Sequence, residues 1–189
     1  MQSLEQHYFK NDIEWRKWLF EHHNTSKGVY LIFYKVSSEK PSMRWEEAVR
    51  VALCFGWIDS TVKRIDDECR RQLFTPRKPK SVWSKLNKKH IEELLFEKLI
   101  HESGLKKIDA AKKDGSWIAL DAVEDLIIPD DLQQAFMSNK LAYVNYQAFS
   151  KSYKKGYLYW LNSAKRVTTR EKRINEIIRL CTANIKTRN

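Results

Sequence analysis

ALCFGWIDSTVKRIDDECRRQLFTPRKPKSVWSKLN, positions 52–87, is the stretch on which the fold turns. It opens at the end of a helical pattern. Trp45, Ala48, Val49, Ala52 and Leu53 fall at i, i+3, i+4, i+7 and i+8, one face of a helix. Gly56 stands where a helix C-terminal glycine belongs. Trp57 to Ile65 then alternates, with Ile58 and Val62 on one side and Trp57, Asp59 and Lys63 on the other. Asp66-Asp67 makes a turn, and Cys69 to Thr75 returns as a second strand, so the expectation is a β-hairpin. Pro76 and Pro79 end the hairpin and stiffen a basic loop. Ser81 or Ser84 caps the next helix, which runs to about Lys98 with Ile91, Leu94 and Leu95 on its apolar side.

Before this stretch, residues 1–10 read as a loose lead-in. Asn11 or Asp12 caps a helix to about His23 that carries Trp15, Trp18, Leu19 and His22 on one face. Val29 to Tyr34 is a continuous apolar run and predicts a strand buried on both faces. Ser42 is in place to cap the helix at Trp45. After position 100 the chain reads as helical. Gly104 to Asp114 is stopped by Gly115, Asp130 caps a helix to about Met137, and Leu141 to Phe149 is another. Tyr153, Tyr157, Trp160, Leu161 and Ala164 line a further helix. Thr168 and Glu171 form a capping box before Ile174, Ile177, Ile178, Cys181 and Ile185. On this reading Thr168→Ala removes a capping bond and costs about 0.5–2 kcal/mol. The fold class is α+β. An N-terminal part, 1–100, holds helices and a small sheet with antiparallel pairing, and an all-helical part, 101–189, packs on it or shares one domain with it.

Composition narrows the class. The chain has 189 residues, 42% of them hydrophobic and seven of them Trp, which suits a packed globule. No apolar run approaches the length of a membrane span, and the N-terminus has no signal-peptide pattern, so the expected location is cytoplasmic. Cys54, Cys69 and Cys181 form no CxxC pair and their spacing with His22, His23, His90 and His101 suits no standard zinc site, so no metal and no cofactor is expected. The net charge is +11, with a sequence pI near 9.5, and it is uneven. Arg70 to Lys89 carries eight Lys/Arg and no acid, and Lys151 to Asn189 carries eleven Lys/Arg and two acids. Trp117 to Asn139 carries acids and no base. That separation describes either an anion-attracting face or plain solvated charge.

Several blocks carry a resemblance to a known family. They are Ala52 to Asp59, Phe74 to Arg77, and Ser81 to Asn87, followed by Ala110-Ala-Lys112, Asp114-Gly115 and Trp117, then Ala164-Lys-Arg166 and Thr169-Arg170 near Arg173. The chain resembles the YdeI/OmdA-like family (bacteriocin protection, YdeI or OmpD-associated) from about Trp15 onward. The resemblance implies a link to protection against bacteriocin or envelope-directed stress. It implies no defined reaction.

The residues themselves place the best candidate site at the hairpin and its exit loop. The candidate ligand-binding set is Trp57, Asp59, Arg64, Arg77, Ser81, Trp83, Ser84 and Asn87. A half-buried Asp59 needs a partner, Arg64, Arg77 or Lys63, either to fix the hairpin or to orient a ligand. Arg77 can hold an anion in a bidentate way, the helix after Ser84 offers free N–H groups, and Trp83 can cover a ring. Sequence order predicts that Asp59, Arg77 and Trp83 lie near one another. A second candidate is the basic group Lys165, Arg166, Arg170 and Arg173, which can meet nucleic-acid phosphates but has no recognition motif beside it. No Walker A loop, GxGxxG, HExxH or GxSxG is present, and Ser84 and His90 do not share a helical face. No catalytic residue is assigned. The chain therefore reads as a non-enzymatic binding protein, monomeric or weakly oligomeric, for an anionic small molecule or a protein partner. A nucleic-acid-associated protein and an enzyme with scattered residues are the alternatives.

Overall fold

A computed structural model describes residues 4–188. It divides into two compact units, Met1–Ile118 and Ala119–Asn189.

In the first unit the elements run β1 (Gln6–Tyr8), α1 (Asp12–His22), β2 (Val29–Tyr34), α2 (Trp45–Cys54), β3 (Trp57–Arg64), β4 (Cys69–Pro76), α3 (Lys85–Phe96) and α4 (Glu102–Asp114). The sheet order is β1-β2-β4-β3. β1 lies parallel to β2, and the other pairs are antiparallel, so the sheet is mixed. The fold is α+β, with the expected hairpin at β3–β4. β1 lies in the stretch expected to be a lead-in, because three residues are too few to show a period.

The register of the hairpin corrects the alternation read from sequence. Trp57 faces Pro76, Asp59 faces Phe74, Val62 faces Gln72 and Lys63 faces Arg71. Between Asp59 and Val62 one extra residue bulges out. A bulge of one residue reverses the side-chain parity beyond it. Val62 therefore joins Trp57 and Asp59, and Lys63 joins Ile58. β2 also departs from expectation. Its burial alternates, with Val29, Leu31 and Phe33 buried and Tyr30, Ile32 and Tyr34 half-buried. Within the first unit, helices cover one face of the sheet only, which is why an unbroken apolar run here does not mean burial on both sides.

The core of the first unit is the covered face. Trp15, Leu19, Val29, Leu31, Phe33, Val49, Leu53, Trp57 and Phe74 pack there. Trp15 meets Trp57 and Phe74 edge-on, at centroid distances of 6.4 and 5.7 Å, and its indole N–H donates to Ala48 O at 3.1 Å. That bond satisfies the one polar atom of a wholly buried indole. Asn11 caps α1 by accepting from Glu14 N, as expected. Ser84, of the two candidates, caps α3 by accepting from Asn87 N at 3.2 Å. Ser42 does not cap α2. Its hydroxyl accepts from Tyr34 N, and the helix start is secured instead by Arg44 N donating to Glu47. Trp45 stands 37% exposed rather than in the core, because its indole reaches to Asp59.

α4 belongs with the first unit, which moves the division from the expected position 100 to 118. The reason is a close backbone approach. His101 N donates to Cys54 O at 3.0 Å and Ser103 Oγ donates to Phe55 O at 3.1 Å. A Cβ on Gly104 would sit 2.3 Å from Cys54 O. Only glycine lets the start of α4 lie against the end of α2. Beside this joint the His101 ring stacks on Phe55 at 5.1 Å and meets the His23 ring edge-on at 4.8 Å. Burial, then the neighbouring His23, lowers the pKa of His101, with Arg16 and Lys106 adding and Glu102 opposing.

The second unit is helical: α5 (Asp121–Glu124), α6 (Asp130–Met137), α7 (Lys140–Ala148), α8 (Lys151–Asn162) and α9 (Val167–Thr182). Leu132, Phe136, Ala142, Tyr146, Leu158, Leu161, Ile177 and Cys181 fill its core. Asp130 is the first residue of α6, after Pro129 at the cap position. The capping box at Thr168 is not formed. α9 begins at Val167 with Arg166 at the cap position and no side-chain capping bond, which leaves Thr168 inside the first turn. Among the described residues no helix is long and apolar enough to cross a membrane.

Three outcomes follow from this packing. Gly104→Ala should destabilise by about 1–3 kcal/mol in a denaturant titration, since a backbone carbonyl cannot yield as a side chain can. A wild-type midpoint would show that α4 does not rest on Cys54. Ser84→Ala should cost about 0.5–2 kcal/mol while Thr168→Ala stays within about 0.5, the reverse of the order that the Thr-x-x-Glu pattern suggests. The lowered pKa of His101 means that the unfolded chain takes up its proton first as pH falls. Its contribution to stability is therefore complete above about pH 6.5 and is lost as pH drops towards the folded-state value. Melting temperatures at about pH 7.5 and about pH 5.5 should converge in His101→Gln relative to wild type; an unchanged gap would assign the acid response to other groups.

Candidate functional site

Arg77 is the centre of the candidate site. It leaves β4 just after Pro76 and its backbone N–H donates to Gly56 O at 2.9 Å. Its side chain turns inward and is only 3% exposed. The guanidinium carbon lies 3.6 Å from the centroid of Trp83, a stacked cation–π arrangement. Nη1 donates to Ser81 Oγ at 3.3 Å and to Val82 O at 3.2 Å. Nε and Nη2 are buried and have no hydrogen-bond partner. Burial pushes the Arg77 pKa down to about 10, with the negative charge of Asp59 opposing that fall, so the group is still cationic at neutral pH.

Arg77 lines a cavity of about 80 Å³ between the 77–83 loop and α4. Lys80, Ser81, Lys107, Asp114 and Ser116 also line it. Trp83 closes one side, and Trp117 packs on Trp83 at a centroid distance of 5.0 Å. Lys80 and Lys107 are drawn from different elements. Lys80 sits in the loop with φ of 60°, and its N–H donates to Asp114 Oδ2 at 3.2 Å. Lys107 comes from α4, and its side chain passes over Gly56, where a Cβ would meet Lys107 Cγ at 2.6 Å. Asp114 is the one carboxylate of the lining. Ser116, whose backbone N–H donates to Asp114 Oδ1 at 2.9 Å, holds the Asp114 pKa below the usual carboxylate range, and the Lys80 N–H adds to this. Its oxygens thus tie the loop to the end of α4.

The eight residues named from sequence do not form one cluster. Arg77, Ser81 and Trp83 come together at the cavity. Ser84 and Asn87 meet each other at the α3 cap. Trp57 is in the core, with its indole N–H on His23 O at 3.3 Å. Asp59 is held by Trp45 Nε1 at 2.9 Å and Gln72 Nε2 at 2.5 Å, not by an ion pair with Arg64, Arg77 or Lys63. Register explains this, since Asp59 lies opposite Phe74 and one step diagonally from Gln72. Arg64 is at the far end of the hairpin, paired with Asp67. Lys80, Lys107, Asp114 and Ser116 were missed. Lys80 was legible as part of the basic loop. The residues from α4 and its exit were not, because only the close approach at Gly104 brings that helix here.

The C-terminal basic group is largely taken up by the fold. Arg170 makes a bidentate pair with Asp131, Nε to Oδ2 at 2.5 Å and Nη2 to Oδ1 at 2.9 Å. Arg173 donates to Trp160 O and to Ser163 Oγ, and lies 5.1 Å from the Trp160 ring centroid. Lys165 and Arg166 are exposed. His90 is buried between α2 and α3, with Arg50 Nη1 3.4 Å from its Nδ1, and takes no part in the site.

With this geometry in hand, two family matches divide the chain. Residues 7–107 match a family described as a domain of unknown function (DUF8412). Residues 125–184 match the family described as Bacteriocin-protection, YdeI or OmpD-Associated. No curated protein and no solved structure matches the chain. The first match covers the sheet, the hairpin and Arg77 to Lys107, and the second covers α6 to α9. The chain belongs to the DUF8412 family, whose model spans more than half of it, and its helical second unit carries the YdeI/OmdA-like segment.

Proposed function

We propose that the protein is a binding protein whose first unit takes a small anion, or the phosphate or carboxylate group of a larger ligand, in the cavity beside Arg77. The observation that carries this reading is the state of Arg77. A guanidinium that is 3% exposed, with two donors unpartnered and no carboxylate bonded to it, is costly to bury. An oxyanion supplies what is missing. It accepts from Nε and Nη2 together, the bidentate geometry that Arg favours, and it restores the pKa that burial lowers. Lys80 and Lys107 add positive charge around the same space. No His or Cys lines the cavity, and Asp114 is already committed to N–H donors. Binding therefore fits these residues better than acid–base chemistry does. The YdeI/OmdA-like match over residues 125–184 supports a role in stress protection exercised through such a ligand, in the cytoplasm.

Thermal unfolding in rising phosphate tests this. Wild type should gain stability with ligand concentration, by about 2.7 kcal/mol at a hundred times the dissociation constant. Arg77→Lys keeps the charge and loses the paired donors, so its phosphate-dependent shift should vanish. Lys107→Gln, on the half-exposed wall, should melt near the wild-type temperature and show a reduced shift. If both variants respond to phosphate as wild type does, the anion binds elsewhere; if wild type shows no shift with phosphate, sulfate or acetate, the anion reading of the cavity is lost.

A further inference from the structure

The face of the sheet that no helix of the first unit covers has a chemistry of its own. Direct cross-strand partners share a face, so the register assigns it. Tyr8 on β1 lies beside Ile32, Tyr30 faces Leu73, Ile32 faces Arg71, and Arg71 faces Lys63. Tyr34, two residues after Ile32, completes the row on β2. Three tyrosine rings and an apolar floor of Ile32 and Leu73 are thus interleaved with cations. The Arg71 guanidinium lies 4.7 Å from the Tyr30 centroid and the Lys40 ammonium lies 4.7 Å from the Tyr34 centroid. Tyr8 meets Tyr34 edge-on at 5.3 Å and its hydroxyl donates to Pro41 O, which holds the ring in place. None of the strand positions on this face is Asp or Glu. Of the acids in the β3–β4 turn, Asp66 accepts from Glu68 N and Cys69 N at 2.8 Å, Asp67 pairs with Arg64, and Glu68 lies within electrostatic reach of Lys40.

From this arrangement we infer that the open face of the sheet binds single-stranded nucleic acid. Bases stack on Tyr30 and Tyr34, and phosphates meet Arg71, Lys63 and Lys40. Two features of the face favour that partner over others. π-surfaces set among cations suit a chain that alternates rings with negative charge, and stacking on aromatic side chains accepts any base. An acidic peptide would use the cations and leave the rings without a partner. A second copy of the same face would set cation against cation. Arg71 serves either way, because a guanidinium can stay stacked on the ring or swing to a phosphate. The basic character of the chain, +11 overall, supplies the long-range attraction. The bulge at 59–62 is what makes the site. Without the extra residue Lys63 would turn to the core face and Val62 would stand in its place.

This inference does not depend on the cavity at Arg77, and its test is separate. Fluorescence anisotropy of the whole chain with labelled oligouridylate or oligothymidylate of about twelve nucleotides should show binding that weakens as salt rises. An abasic oligomer of the same length keeps the phosphates and loses the rings, and wild type should bind it about tenfold or more weakly. Tyr30→Leu and Arg71→Gln should each lower the affinity for the normal oligomer by about tenfold, and Tyr30→Phe should restore it. The Lys165→Gln/Arg166→Gln double variant should bind as wild type does. Equal affinity for the abasic oligomer or for polyglutamate would reduce the face to a general cation patch and overturn the inference. Loss of binding in the Lys165/Arg166 variant alone would move the contact to the second unit. Absence of binding to any oligomer at low salt would also defeat it.

Discussion

The hydrogen bond from Arg77 N to Gly56 O, at 2.9 Å, is the contact on which the first unit is arranged. It closes the base of the β3–β4 hairpin, and so brings the end of α2 against the start of the basic loop. Gly56 adopts φ of +74°, in the left-handed region, and the Lys107 side chain occupies the space a Cβ would need. One residue thus turns the chain from helix to strand, accepts the bond that closes the hairpin and makes room for α4. One helical turn before Lys107, at Gly104, the backbone of α4 reaches Cys54 with no side chain between. Helix, hairpin, loop and α4 converge within a few ångströms, and the cavity is the space their convergence leaves.

That convergence also explains why Arg77 is buried. Pro76 and Pro79 restrict the loop, and the backbone bond to Gly56 directs the side chain inward. Once there, the guanidinium is stacked on Trp83 and bonded through Nη1 alone. Stacking on an indole contributes about 2 kcal/mol when desolvated, less than the penalty for burying a cation with two idle donors. An arrangement of this kind stores a free-energy gradient in favour of whatever supplies two acceptors. The fold meets the cost with its aromatic core, in which Trp15, Trp57, Trp83 and Phe74 are almost wholly buried. The loop is further held by Asp114, whose carboxylate reaches Lys80 N from the end of α4.

Both units pair some cations with carboxylates and rest others on aromatic rings. In the second, Arg170 and Arg173 secure helix ends through Asp131, Ser163 and Trp160 O, so much of what looks like a basic face is internal structure. In the first, several cations rest on aromatic rings rather than on carboxylates: Arg71 on Tyr30, Lys40 on Tyr34, Arg77 on Trp83 and Lys112 near Trp117. Cations held this way keep their charge uncancelled, whereas a carboxylate partner would neutralise it. Arg77 among them borders the cavity, and Arg71 stands on the sheet face that no helix of the first unit covers.

Local signals were readable from the sequence alone. The 3.6-residue spacing of Trp15 to His22 and of Trp45 to Leu53 marked α1 and α2, Gly56 marked the helix end, Asp66-Asp67 the turn, and Pro76 and Pro79 the exit loop. Each depends on side-chain chemistry within a few residues, which sequence order preserves. The meeting of Arg77, Ser81 and Trp83 was legible for the same reason, since a stiff loop of seven residues cannot separate them. What only the tertiary structure decided was everything that depends on parity or on distant approach. One bulged residue reversed Val62 and Lys63. A register placed Asp59 against Gln72 instead of an arginine. A tertiary fold left one face of β2 without a helix, and the glycine at 104 brought Lys107 and Asp114 to a cavity whose other wall lies some thirty residues earlier. Such features arise from the packing of elements against each other, and no local pattern of residues encodes which surface an element will meet.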